Sequence, residues 1–320
     1  MRRGFSEESS AIMVQSISEK TIKQYEKPIR LWWSFCQEND IPVYEANTNN
    51  VIDFLTKQLN SVKSYSTLNT YRSAISLIMG NTVGAHPDMI RFFKGIANQM
   101  PKKAKYSATW DPNIVLKYLS EQGPNEKLGL KGLTKKLVTI LALVTGQRVQ
   151  TLFCIKVNNI IHEDKRIRIK IEEKLKTSRF MKSMLVLEIP YYDAQPNVCP
   201  ARTLVTYLEK TSDLRPPDEE RLILTHQKPY HAATTQTVSR WIKSTLKQSG
   251  LNTELYSAHS TRHASTSAAA RTGVNVDTIL QAIGWSKNSS TFARFYNRPL
   301  ISEKSFATSI LSNYSNSKTM

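Results

Sequence analysis

The chain has 320 residues, enough for about two domains. Lys and Arg total 44 against 26 Asp and Glu, a net charge of +18, which points to a polyanionic partner: nucleic acid first, an anionic membrane surface second. A hydrophobic fraction of 40% excludes wholesale disorder, and no run approaches the roughly 18–20 apolar residues of a membrane span.

Residues 1–17 are polar and Ser-rich and read as a flexible tail; Arg2 and Arg3 are not followed by the apolar stretch of a secretory signal. From Ser18, Ile22, Tyr25, Ile29, Trp32 or Trp33 and Cys36 recur at helical spacing, with Pro28 expected to kink or split the run. Further helices are predicted over Asn49–Leu59, from Ser64–Ser66 through Leu68, Tyr71, Ile75 and Met79, and over Asp88–Gln99 with Ile90, Phe93 and Ile96 on one face. Residues 18–100 thus form a small helical bundle. Pro101 closes it, and residues 101–110, charged by Lys102, Lys103 and Lys105, read as a basic interdomain linker, either an ordinary surface loop or one that crosses a DNA backbone.

A second domain spans residues 111–300. Asp111 and Pro112 suit a helix start, and helices are expected at about 112–122, 131–145, 200–211, 235–249, 258–272 and 275–283. Residues 166–172 and 184–189 alternate apolar with polar, which predicts two antiparallel strands joined by the basic turn Lys174–Lys182. Residues 301–320 form a C-terminal segment with a weak amphipathic stretch at Ser302–Asn313. The fold class is therefore mostly α with a small antiparallel sheet. Cys36, Cys154 and Cys199 are far apart with no CxxC, so they read as reduced structural thiols rather than disulfides or metal ligands.

Breaking and remaking a phosphodiester without a metal needs a nucleophile, a stabiliser for the non-bridging oxygens and an acid for the departing 5′-oxygen. Tyr suits the first task, the planar fork of Arg the second, Lys or His the third. The sequence supplies these types in order. Thr145-Gly-Gln-Arg-Val149 ends a buried-looking helix and presents Arg148. His259-Ser-Thr-Arg262 opens another helix, so His259 and Arg262 share a face at a helix N-terminus. The run from Ile283 through Gly284 and Trp285 leads to Tyr296, eleven residues after the Trp. Each piece alone has a bland explanation as a cap or a core side chain; the ordered set does not.

Taken together, these segments resemble the tyrosine recombinase (phage-integrase-like) family. The phrases KLKTSR, HSTRHASTSAAA and GWSKNSSTFARFYNRP look most like recombinases of DIRS-type retrotransposons and Cryptons. The resemblance covers nearly all of residues 18–300, with the N-terminal bundle similar to the family's SAM-like core-binding domain. It implies six catalytic positions: Arg148, Lys176 in the hairpin turn with Lys174 as a rival, His259, Arg262, Trp285 and Tyr296. His263 repeats a His that often follows the Arg, whereas Thr151 stands where the family commonly has an acidic residue.

The resemblance further implies a site-specific recombinase or integrase acting through a 3′-phosphotyrosine, with no metal, cofactor or small-molecule substrate and no membrane association. Its partner is double-stranded DNA held in a C-shaped clamp by a homotetramer on paired sites. Residues 301–320 then either pass to a neighbouring protomer or fold back. Lys63, Thr67, Thr70 and Arg72, near a helix start, and Arg240 and Lys243 on the 235–249 helix are candidate DNA contacts, each weighed against a solvated surface role. A eukaryotic mobile element implies a nuclear location; otherwise the cytoplasm is expected. A type IB topoisomerase-like enzyme, or a captured recombinase that only binds DNA, is the alternative.

Overall fold

The structure is a computed structural model that describes residues 6–62, 64–101, 106–173, 184–286 and 291–300. The chain divides into two compact units, Met1–Lys103 and Ala104–Met320.

The N-terminal unit is helical: α1 (Glu7–Gln15), α2 (Glu19–Glu38), α3 (Thr48–Val62), α4 (Tyr65–Met79), α5 (Asn81–Ala85) and α6 (Pro87–Gln99). In place of an irregular tail, Ser6 caps α1 by accepting from the Ser9 amide, though α1 buries no residue. Pro28 does not split α2. Its missing N–H orphans the carbonyl of Gln24, and Gln24 is exposed, so water can satisfy that carbonyl. Trp32, not Trp33, faces inward, and its indole N–H donates to the Val43 carbonyl at 3.2 Å. The Phe54 ring meets Trp32 edge-on at 5.4 Å and lies near Phe35 and Tyr71, which makes an aromatic core. On α6 the inward stripe is Met89, Phe93 and Ile96; Ile90, expected on that face, points to solvent because it lies about a quarter-turn from Met89.

The C-terminal unit begins with α7 (Pro112–Glu121), where the Asp111 carboxylate accepts from the Asn113 amide at 3.0 Å. Helix α8 (Leu130–Thr145) is buried on nearly every side and packs against α10 (Pro200–Thr211), α11 (Thr235–Gln248) and α12 (Ser260–Arg271). The short α9 (Val149–Phe153) and α13 (Val276–Ala282) complete the labelled helices, and Phe292–Tyr296 form a π-helical turn.

The sheet has one strand more than the sequence pattern predicted. β1 (Ile160–His162), β2 (Arg166–Ile171) and β3 (Leu185–Pro190) pair antiparallel in that order. β1 has three residues, too few for alternation to register. Ile167, Ile169 and Ile171 lie opposite Ile189, Leu187 and Leu185 and fill the core side, while Arg166 and Arg168 pair with Glu163 on the other face. No helix among the described residues is long and apolar enough to cross a membrane.

All three cysteines are buried and unpaired. Burial pushes the Cys36 thiol up to about 11 and Cys154 to about 12, so both stay protonated. Cys154 is not purely among apolar neighbours: its Sγ donates to a Glu173 oxygen at 3.0 Å.

Candidate active site

Helix α8 ends at Gly146, whose backbone is left-handed at φ +57°. A Cβ there would meet the Ile283 Cγ2 at 3.1 Å, so both conformation and space demand glycine. The sharp turn delivers Gln147 and then Arg148, which sits half-buried at the start of α9.

Arg262, in the first turn of α12, is 1% exposed. Its Nη1 donates to the Gly146 carbonyl at 2.8 Å and its Nη2 to the Ile283 carbonyl at 3.1 Å. The guanidinium lies over Trp285, 4.6 Å from the ring centroid, and 5.7 Å from that of Tyr296. Burial lowers its pKa to about 10, the neighbouring Arg148 adds to the fall, and Tyr296 opposes it. Even so lowered, it remains a cation at neutral pH. A guanidinium has five N–H groups, and two hold backbone carbonyls here. The Nε is buried with no partner among the described residues. Arg262 thus braces two chain segments.

His259 immediately precedes α12. A hydrogen bond of 3.0 Å joins its Nε2 to the Tyr296 hydroxyl. Trp285 meets the Tyr296 ring edge-on at 4.6 Å and is largely buried, as is Tyr296 itself. The backbone of Tyr296 is tied as well: the Ser267 hydroxyl donates to its carbonyl and accepts from the Arg298 amide. His259, Arg262, Trp285 and Tyr296 therefore converge within one chain, with Arg148 near enough to Arg262 to repel it. A phenol beside an imidazole, under a guanidinium and near a second, is an arrangement suited to nucleophilic attack on a phosphate.

Lys176 and its rival Lys174 lie outside the described residues, between the end of β2 and the start of β3. The base of that hairpin is anchored. Glu173 forms an ion pair with Arg221 and accepts from Cys154. Burial by itself would raise the Glu173 pKa, but these partners hold it below the ordinary carboxylate value.

Among the candidate DNA contacts, Lys63, Lys102, Lys103 and Lys105 are outside the described residues. Thr67 is exposed in the first turn of α4. Thr70 is half-buried and accepts from the Gln24 amide at 3.4 Å. Arg72 turns inward onto the Phe93 ring at 4.8 Å and reaches the Gly84 carbonyl. Arg240 and Lys243 are exposed on α11, one turn apart.

Three supporting side chains escaped the sequence reading. Trp110 donates from its indole to the Ser260 hydroxyl at 2.9 Å and pins the start of α12. Ser267 holds the Tyr296 backbone. Gln147, 4% exposed, donates to the Ala282 carbonyl at 2.8 Å and accepts from Thr151 at 3.4 Å, so a neutral pair occupies the place of the acidic residue. Position i+4 from Gln147 to Thr151 was the one available signal.

With this geometry in view, the comparisons with known proteins define the class. Residues 124–301 match the phage integrase family and residues 11–77 its N-terminal SAM-like domain. The chain belongs to the phage integrase family, the tyrosine recombinases. No curated protein matches it.

Three solved structures share the fold at low identity. A lambda integrase (75–356) dimer bound to a COC′ core site is 18% identical, with a TM-score of 0.55 over 90% of this chain and 92% of that one. The Tn1549 transposon integrase (aa 82–397) in complex with circular intermediate DNA is 14% identical, with a TM-score of 0.61 over 95% and 97%. XerH bound to palindromic difH substrate, a post-cleavage complex, is 13% identical, with a TM-score of 0.58 over 92% and 79%.

Proposed function

We propose that this protein is a site-specific DNA recombinase that cuts and rejoins strands through a phosphotyrosine at Tyr296. The observation that carries the reading is the 3.0 Å bond between the Tyr296 hydroxyl and His259 Nε2 beside the buried Arg262.

The oxygen of Tyr296 attacks the scissile phosphorus, the bond to the 5′-oxygen breaks, and a 3′-phosphotyrosine forms. His259 receives or relays the phenolic proton. Arg148 and Arg262 stabilise the charge on the non-bridging oxygens. Lys176, or Lys174, gives a proton to the departing 5′-oxygen. Trp285 packs against the site and offers its indole N–H. A 5′-hydroxyl from a partner strand then attacks the phosphotyrosine and restores Tyr296. The phosphoryl bond is exchanged rather than hydrolysed, so neither ATP nor a metal enters the balance.

Double-stranded DNA is the substrate, in keeping with the +18 charge, and pairs of sites are joined within a homotetramer. A mobile-element setting, and with it a nuclear location, rests on the resemblance of the three quoted phrases.

Recovery of DNA covalently attached to the protein, with sequencing of the attached ends, tests the reading and supplies the target. Nicked duplexes of that sequence should then trap the adduct. Tyr296→Phe should abolish trapping while DNA affinity stays within about twofold, since one hydroxyl is lost from a site that many phosphate contacts hold. Persistence of the adduct in that variant refutes the assignment.

A further inference from the structure

We infer that His263 is a positioning residue for the nucleophile: its imidazole is the flat seat that holds the Tyr296 phenol against His259. The inference rests on the role of Tyr296 proposed above.

The His263 ring lies face to face with the Tyr296 ring, with centroids 4.0 Å apart and planes 11° from parallel. The other rings around the phenol meet it edge-on, Trp285 at 4.6 Å and 64° and His259 at 6.0 Å and 80°. His263 therefore supplies the face that fixes the plane of the phenol. Helix geometry explains the choice of position. Residues 259 and 263 are one turn apart on the same side of the segment, and their rings stand 5.5 Å apart at 83°. One ring supports the phenol from below, and the other, turned nearly perpendicular, takes its hydroxyl at 3.0 Å. The two imidazoles make an L-shaped cradle.

The seat is itself held. Tyr106 meets His263 edge-on at 4.9 Å, packs against Tyr256 and shares a hydrogen bond with Ser257. His263 is 6% exposed, and its Nδ1 is buried with no hydrogen-bond partner among the described residues. Burial pushes the pKa down to about 3, neighbouring His259 pushes it the same way, and the Phe295 backbone pulls the other way. The ring is therefore a neutral imidazole near neutral pH. What it offers the phenol is shape: a rigid aromatic plane of the right size, stacked at 4.0 Å.

Orientation of a reacting group is worth orders of magnitude, and a misplacement of about 1 Å can cost roughly a hundredfold in rate. His263→Phe and His263→Leu separate shape from chemistry, since both fill the pocket but only Phe keeps a plane. Single-turnover adduct formation on nicked duplex, DNA affinity and thermal unfolding are measured on the full chain. The expected result is that Phe keeps the rate within about threefold and Leu loses at least about tenfold, with equal DNA affinity in both. A Phe variant as slow as the Leu variant overturns the inference, because the nitrogen would then be needed. A Leu variant as fast as the wild type overturns it too, because the plane would then be dispensable. If the wild-type chain forms no adduct that Tyr296→Phe removes, it is the proposed function that fails, before His263 is tested at all.

Discussion

Trp32 and Arg262 are both among the largest fully buried side chains, yet their surroundings differ in kind. Trp32 sits in an aromatic cluster, and its own indole N–H is met by the Val43 carbonyl. Arg262 is a buried cation that spans two carbonyls and lies over two rings. The contrast extends to whole units: among the described residues, the buried polar and charged side chains all fall in the C-terminal unit. An apolar interior stabilises without committing to any chemistry. A polar interior costs desolvation, and its groups persist only where hydrogen bonds offset that cost. In the N-terminal unit stability and catalysis should therefore be separable, and at the buried Arg262 of the C-terminal unit they should not.

The largest effect expected from that contrast is at Trp32. Trp32→Ala should destabilise the N-terminal unit by about 3–5 kcal/mol, a cavity cost, without altering the active-site geometry. Urea unfolding followed by domain-specific probes reads this; a C-terminal transition that shifts equally would break the contrast.

The two arginines proposed for the active site sharpen it. Arg148→Ala and Arg262→Ala should both suppress adduct formation. Only the second should also lower thermal stability, by about 1–3 kcal/mol for each carbonyl left unpaired. Calorimetry on both variants would expose the idea as wrong if their melting temperatures matched.

Smaller still is Gly146→Ala, where a left-handed residue at φ +57° acquires a side chain against Ile283. A loss of about 1–2 kcal/mol is expected, with a slower cleavage step because the Arg262 anchor shifts. Equal cleavage rates in the folded variants would show that the anchor tolerates movement.

An effect of a different kind, on pH dependence, is expected at Lys136, which is fully buried with its Nζ donating to the Gly123 carbonyl at 3.0 Å. Burial lowers its pKa from 10.5 to about 8, with Glu126 resisting the change. The native state thus holds this proton less tightly than the unfolded chain does. Between about 8 and 10.5 the unfolded chain binds more protons at this site, so its contribution to stability rises with pH across that window. Below about pH 8 the burial penalty is felt in full. Lys136→Met should therefore be favoured most at pH 7, with its advantage over the wild type shrinking toward pH 10.5. Melting temperatures of the two chains across that range decide the matter; a constant difference rules the account out.

Much of the fold was legible because long helices and the β2–β3 pair carry strong periodicity. Ile167, Ile169 and Ile171 alternate, and α8 is apolar nearly all round. Short elements were not: α5, α9 and β1 have five, five and three residues, fewer than a period needs to show. Faces were harder than helices. Choosing between Trp32 and Trp33, or Met89 and Ile90, requires knowing which way the helix is turned, and that is decided by partners distant in sequence such as Val43. In the site, the motif residues stood out by type and order, whereas Trp110, Gln147 and Ser267 did not. Their roles arise from contacts spanning 150, 135 and 29 residues, which no local spacing encodes. Arg72 was picked out as a basic residue near a helix start, but no local spacing encodes the position of its guanidinium over the Phe93 ring.

Because one guanidinium ties residue 146 to residue 283, the loop bearing Arg148 and the loop bearing Trp285 cannot drift independently. Inactivating substitutions should accumulate at buried positions such as Ile283. A search for a more active enzyme would do better to leave that knot tied and vary exposed side chains, Arg240 and Lys243 included.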